Sequence, residues 1–385
     1  MTGIAMTGKE RIRKTCRLEP TDKVPMFEQS ICSKVASDVM GRPMYLGGGE
    51  LRMMEAEAWL KGDEAHARFV DKMQRDTVEF YRHMGYSLIR MPWRASARPT
   101  KKLDEFRYLY GNENASWSIS KYDPESDSFH TVDSSDRALA VEQLIERLEA
   151  QSRNYVKPTK PTMTFDDLDW LHEQVGDSIG LAGGAGFIII PMQPAWWEAT
   201  ALRPDLVAAH LERVTDINLL NMEAEAKHHI DMFNGGGDLA NNDGPVYSPT
   251  VFRDLMLPQV KRIAEKSHEL DLCYFFRTDG WLWPIADMLF GESGVGGYGE
   301  IDAQAGMDVV EVKKKFPRLV CWGGMDCGRL LTFGSPQEIA DETKRVLDGC
   351  REVGGLIFGS SNAIHSAIPT KNYLAMIEAA RENGC

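Results

Sequence analysis

Residues 249–280 read PTVFRDLMLPQVKRIAEKSHELDLCYFFRTDG. The first part has the apolar spacing of an amphipathic helix. The second, from Asp271, is a short apolar run that stops at Arg277, Asp279 and a glycine. The same unit recurs on both sides. SIGLAGGAGFIII (178–190) is followed by the helical segment 203–229, then by DMFNGGGDLANND (231–243). Downstream come GVGGYGEID (294–302), RLVCWGGMD (318–326), a helix over 336–353, GGLIFGSSNAI (354–364) and a last helix over 369–383. Strand–helix alternation at this spacing builds βαβ units and a parallel sheet. With further strand candidates at KVPMFEQSI (23–31) and GYSLIRMPW (85–93), the pattern predicts an α/β chain folded as a (β/α)8 TIM barrel. An open doubly wound sheet fits less well, because no G-x-G-x-x-G opens the first helix. Neither GGAG (183–186) nor NGGGD (234–238) carries the Lys-Ser/Thr of a phosphate loop. The expectation is a single barrel domain over 1–385, with a polar, β-rich insertion near 94–160 covering part of the barrel.

Composition narrows the function. The chain of 385 residues is 43% hydrophobic and 26% charged, enough apolar content for a real core. A formal charge of −13 without clustered Lys and Arg argues against nucleic acid. The seven cysteines are scattered without C-x-x-C spacing, and their odd number does not suggest a disulfide framework, which points to a reducing cytoplasm. The opening MTGIAMTGKERIRK has no apolar core and no long apolar run follows, so neither a signal peptide nor a membrane span is expected.

In a parallel barrel every strand ends on the same face, so polar strand endings converge on one pocket. Those endings are Asp238, Asn241 and Asn242; Arg277 and Asp279; Tyr298, Glu300 and Asp302; Met325 and Asp326; and Ser360, Ser361, Asn362 and His365. Strand alternation makes Arg277 and Asp279 look the same way, into the barrel, with Cys273 and Phe275 beneath them. The alternative for that pair is an internal ion pair or a helix cap. Trp93, Trp196, Trp197, Trp281, Trp283 and Trp322 mostly follow strand ends and suit either core packing or an aromatic pocket wall. The His228-His229 pair reads as a helix-end feature and not as a metal site.

Four segments carry a family resemblance: KERIRKTCRLEPTDKVP (9–25), GDLANNDGPVYSPTVFRDLMLPQVKRI (237–263), the region from GMD to GGMD (306–326), and LLTFGSPQEIADETKRVLDGC with GGLIFGSSNAIHSAIPTKNYLAMIEAARENG (330–384). Together they resemble the uroporphyrinogen decarboxylase superfamily, over the first 45 residues and nearly everything after 230 but not over 94–160. The resemblance implies a (β/α)8 barrel and one of two chemistries, porphyrinogen decarboxylation or corrinoid-linked methyl transfer. The decarboxylases carry Arg-Gln-Ala-Gly-Arg after the first strand; Glu28-Gln29-Ser30-Ile31-Cys32 stands there in this chain, without the arginines that hold substrate carboxylates. The thiol-directed methyltransferases bind zinc through His-x-Cys and a later Cys; here those places resemble Arg277, Asp279 and the Ser360–Asn362 loop, which offer no soft ligand.

What remains resembles the corrinoid-dependent methyltransferase branch, and within it the methyltransferase component of anaerobic aryl-ether O-demethylases. That implies transfer of a methyl group from a methoxylated aromatic to cob(I)alamin on a partner corrinoid protein. No Asp-x-His-x-x-Gly motif lies in this chain, so the cobalamin should arrive from outside. Zinc stays open, with no motif in its support. Phenolate leaves reluctantly, so a donor to the ether oxygen would lower the barrier. Asp279, Tyr298 or His365 is the candidate acid, and Arg277 the group that steadies the developing phenolate. Trp281, Trp283, Phe276 and Trp196 are the candidate ring-holding wall, with Asp238, Asn241, Glu300 and Asn362 completing the substrate site. The rivals are decarboxylation of a uroporphyrinogen-like or smaller aromatic acid, and a non-catalytic corrinoid- or tetrapyrrole-binding barrel. A homodimer is compatible with either reading.

Overall fold

The computed structural model describes residues 5–94, 97–137 and 139–385. Seven strands form one parallel sheet in chain order: β1 (Leu88–Ile89), β2 (Gly180–Gly183), β3 (Met232–Gly236), β4 (Cys273–Arg277), β5 (Gly297–Gly299), β6 (Val320–Met325) and β7 (Leu356–Ser360). Residues 25–28 close the ring between β7 and β1. Phe27 N–H donates to the Phe358 carbonyl at 3.0 Å, Phe358 N–H to that of Pro25 at 2.8 Å, and Ser87 N–H to that of Met26 at 2.9 Å. Closure leaves the main sheet without an open edge, and the chain is the TIM-barrel-like α/β fold that its strand–helix rhythm predicts.

The barrel interior is filled by a few large rings set opposite glycines. Phe275 pairs in register with Gly297, where a Cβ would come within 2.6 Å of the Phe275 ring. Trp322, fully buried, lies against Gly299, where a Cβ would come within 2.5 Å of its ring. The indole N–H of Trp322 donates to the Phe27 carbonyl at 3.1 Å, which ties β6 to the closing segment. Large-against-small packing of this kind lets short strands enclose a solid core.

Helices cover the outside, among them Pro204–Glu225, Leu257–Glu269, Pro336–Arg351 and Thr370–Glu382. The helix Gly8–Cys16 closes the end where the strands begin: Asp231 accepts from Arg13 Nε at 2.6 Å and from the Leu181 amide at 2.8 Å. The polar segment contains a four-stranded antiparallel sheet, Lys101–Lys102, Arg107–Gly111, Trp117–Asp123 and Ser128–Ser134. Its small core of Tyr108, Tyr122 and Phe129 packs on Ala56 of the helix Gly48–Leu60. Tyr108 Oη and Lys102 Nζ both reach Glu57 of that helix at 2.6 Å. The following helix, Val141–Arg153, sends Leu144 and Leu148 into the main core. Among the described residues no helix is long and apolar enough to cross a membrane.

Candidate functional site

Arg277 ends β4 with its side chain inside the barrel mouth. Its Nε donates to the carbonyls of Asn234 and Gly235 at 3.0 and 3.1 Å, and its Nη1 to Gln29 Oε1 at 3.1 Å and Glu300 Oε1 at 2.9 Å. Gln29 Nε2 also donates to Glu300 Oε1 at 2.7 Å and to Asn362 Oδ1 at 3.1 Å. Asn362 Nδ2 then donates to Asp279 Oδ2 at 2.9 Å. One hydrogen-bonded chain thus joins residues from the closing segment and from the ends of β4, β5 and β7. Two backbone features hold it. Gly236 has φ 113°, and a Cβ there would lie 2.3 Å from the Arg277 amide nitrogen, so β3 can approach β4 this closely only with glycine. Glu300 itself sits at φ 64° while buried, a conformation that costs a non-glycine residue about 1 kcal/mol and is maintained by its bonds to Arg277 and Gln29.

The electrostatics follow from crowding. One carboxylate oxygen from each of Asp238, Asp279 and Glu300 lies within 4.8 Å of the other two. Burial, followed by the charge of Glu300, pushes the Asp279 carboxyl up to about 7 against the opposing hydrogen bond from Asn362. Burial and Glu300 also raise Asp238, with Arg277 opposing. Arg90, at the end of β1, is lowered to about 10 by burial and by the like charge of Arg277. Beneath Gln29, burial lifts Glu28 to about 8, opposed by hydrogen bonds from the side chain and amide of Ser360.

The carboxylate trio has the spacing of a metal-ligand set. All three donors are oxygens, and Glu300 Oε1 already accepts from both Arg277 and Gln29. Neither Cys nor His joins the trio among the described residues. Such a set does not suit zinc. The crowding is relieved by a proton on Asp279, and we read the trio as a proton-holding cluster.

These groups line a cavity of about 640 Å³ at the mouth, together with Arg90, Trp93, Met163, Phe187 and Asn234. Its aromatic walls are Trp93 and Phe187, 40% and 47% exposed. The Trp93 ring serves both cations, with its centroid 4.9 Å from Arg90 Cζ and 5.8 Å from Arg277 Cζ. Phe187 is positioned from behind by the helix Pro204–Glu225. Asn218 Nδ2 donates to the Phe187 carbonyl at 2.8 Å, and Glu225 accepts from the Gly184 and Ala185 amides at 2.7 and 2.9 Å. The Gly184 and Ala185 amides of GGAG are therefore taken by a protein carboxylate and that of Gly186 by Asn218 Oδ1 at 3.0 Å, which leaves none of the three for a phosphate. A second cavity, of about 610 Å³ and lined by Arg13, Asp231, His268 and Asp271, lies at the opposite end where strands begin. In barrels of this type chemistry resides at the strand C-termini, which selects the mouth.

Of the residues expected from sequence, Arg277, Asp279, Asp238, Glu300 and Asn362 meet in the mouth cavity. The others do not. Tyr298 faces the outer helices: alternation along β5 turns its two glycine neighbours inward, and its ring lies 4.6 Å from that of Phe290. Phe276 likewise points outward and packs edge-on to Tyr274. His365 Nε2 bonds to the Cys327 carbonyl at 3.2 Å, away from the cavity. Trp196 packs on His210, Trp283 donates to the Gly306 carbonyl at 2.9 Å, and Trp281 lies over Gly244 at the rim. Asn241 caps its own turn, accepting from the Asp243 and Gly244 amides. The sequence reading missed Gln29, Arg90, Phe187 and Asn234, and it left Trp93 undecided between core and wall. Gln29, Arg90 and Trp93 do lie in the two upstream strand candidates, whose polar endings carried the signal.

Residues 192–383 match the sequence model of the family described as Uroporphyrinogen decarboxylase (URO-D). No functionally curated sequence matches the chain. Among solved structures, a methyltransferase from Methanosarcina mazei superposes with a TM-score of 0.63 at 17% identity, over 98% of this chain and 99% of that one, a likeness of fold. A sugar phosphate isomerase/epimerase from Parabacteroides distasonis ATCC 8503 gives a TM-score of 0.35 at 9% identity, over 82% and 91% of the two chains. An endo-beta-1,4-xylanase from Gloeophyllum trabeum gives 0.33 at 11% identity, over 59% and 83%.

Proposed function

We propose, for a chain that carries a uroporphyrinogen decarboxylase family domain over residues 192–383, that it is a methyltransferase taking a methyl group from an aryl methyl ether to cob(I)alamin held by a partner corrinoid protein. The observation that supports this best is Asp279, a mouth carboxyl that ionises near 7 and is oriented by Asn362. The methyl group of an aryl ether moves only if the departing oxygen is helped. A carboxyl with that ionisation is half protonated at neutral pH and can donate as the C–O bond breaks. The bond's electron pair goes to the oxygen, the proton follows from Asp279, and the phenol leaves. Cob(I)alamin, a co-substrate here, supplies the nucleophile for the methyl group. Arg277, tied to Glu300 and two carbonyls, positions Glu300 and thereby sustains the proton on Asp279. Trp93 and Phe187 hold the ring in a cavity of ordinary small-molecule size. The corrinoid then approaches from outside the mouth.

The test is anaerobic: purified protein, cob(I)alamin and a panel of methoxylated phenols and benzoates, with the cob(I) absorbance followed as methylcob(III)alamin forms. Enzyme-dependent conversion with one class of ether is the expected result. No conversion with ethers, while an aromatic acid releases carbon dioxide without corrinoid, would replace this reading by decarboxylation. That rival is favoured by one observation, the buried Nη1 of Arg90 in the same cavity, which has no hydrogen-bond partner.

A further inference from the structure

Among the described residues, few buried side-chain polar atoms lack a hydrogen-bond partner, and three of them belong to this one cavity: Arg90 Nη1, Asn234 Oδ1 and Asn234 Nδ2. Asn234 is 2% exposed and sits on β3 facing the interior, in register with Phe275. An amide with both ends unmet costs about 1–3 kcal/mol for each group, and a desolvated guanidinium costs more. The two arginines differ in kind. Arg277 is matched by Glu300 at 2.9 Å. Arg90 has no ion-pair partner among the described residues, and nearby Glu225 is committed to the Gly184 and Ala185 amides. The cavity therefore presents two donors, Arg90 Nη1 and Asn234 Nδ2, one of them charged, that no acceptor among the described residues meets.

We propose that Arg90 and Asn234 form an anion-reading subsite that takes a carboxylate carried on the aromatic ring of the methyl donor. This rests on the methyl-transfer reading for the identity of the donor. One carboxylate oxygen accepts from Arg90 Nη1 and the other from Asn234 Nδ2, which leaves Asn234 Oδ1 to a water. The ring then extends past Trp93, which already lies against the Arg90 guanidinium, towards Asp279 and Glu300 at the mouth. Placement of the carboxylate at Arg90 and the ether at Asp279 follows from charge. The carboxylate trio repels an anion near Asp279, and Arg90, with no carboxylate of its own, attracts one. Charge-assisted hydrogen bonds of this kind are worth about ten- to a hundredfold in affinity.

The subsite is tested by calorimetric titration of the full chain with 3-methoxybenzoate and with 3-methoxybenzyl alcohol, the same ring without the charge. The acid should bind at least about tenfold more tightly. Arg90→Gln and Asn234→Leu should each remove that advantage, so that the variant binds acid and alcohol within about twofold of one another, and Arg90→Lys should restore part of it. Equal binding of acid and alcohol by the wild-type chain overturns the proposal, as does an Arg90→Gln variant that keeps the preference. If Arg90→Gln loses its fold by circular dichroism, Asn234→Leu decides alone, by keeping or losing the preference. Because the titration needs no corrinoid, the two readings fail separately. Transfer from neutral ethers without acid preference keeps the transferase and discards the subsite, and acid-selective binding without transfer does the reverse.

Discussion

Replacing Asp279 by Asn should stabilise the protein at alkaline pH while disabling it. In the fold Asp279 ionises at about 7, whereas an unperturbed side chain ionises at 3.8. Between those values the unfolded chain releases a proton that the folded chain retains, so stability falls as pH rises through this window. The full difference corresponds to roughly 4 kcal/mol above pH 7, reduced by the side chain's partial contact with water. Asn cannot ionise, keeps nearly the same shape, and can still accept from Asn362 Nδ2 through its amide oxygen. The variant should therefore gain on the wild type, and the gap should widen by roughly 2 kcal/mol between pH 5 and pH 8. Guanidinium unfolding followed by tryptophan fluorescence at the two pH values measures it. Methyl transfer by the same variant should fall by about 10²–10⁴ with little change in KM, and wild-type turnover should decline above pH 7 as the acid is lost. A stability gap that is flat with pH, or a variant less stable than wild type at pH 8, would refute the assignment of a raised, proton-holding Asp279.

Three further outcomes follow from the geometry. Glu225→Ala leaves the buried Ala185 amide and the partly buried Gly184 amide unmet; it should lower stability by about 1–3 kcal/mol in a thermal melt and raise KM more than it lowers kcat, because Phe187 loses its support. Gly236→Ala sets a Cβ against the Arg277 backbone at φ 113°; it should cost about 1–3 kcal/mol and reduce transfer through displacement of Arg277, and an unchanged melting temperature would show that β3 tolerates the side chain. Prolonged dialysis against a chelator should leave transfer with supplied cob(I)alamin unchanged; loss restored by one divalent ion would turn the Asp238–Asp279–Glu300 trio into a metal centre.

The architecture was legible because it is repeated. Strand–helix alternation after residue 178 recurs often enough that one misplaced boundary changes nothing, and parallel strands place their ends on one face whatever their detailed pairing. This also made Arg277, Asp279 and Glu300 readable as neighbours, since each sits at or just beyond a strand tip. The covering of the chain was less legible. The insertion's strands lie on the helix Gly48–Leu60, through a tyrosine and a lysine converging on Glu57, a contact between segments some 50 residues apart that neither segment announces.

The composition and order of residues were enough to establish a barrel, an acidic mouth and a strand-end arginine beside a carboxyl. Which aromatic rings form the wall was settled by alternation in three dimensions: Phe276 and Tyr298 differ from inward-facing neighbours by one position, and one position reverses the face. The tryptophans of 281–283 lie past the strand end, where no periodicity dictates direction, and they pack at the rim or on the loop carbonyl of Gly306. Trp93 reaches the site because closure of the barrel through residues 25–28 brings β1 round to β4 across the mouth. The same closure brings Gln29 between Arg277 and Asn362, and sets Asn234 and Arg90 facing a space that no protein group fills. Those relations join residues up to 333 positions apart, and they arise from the curvature of the closed sheet, which no local pattern encodes.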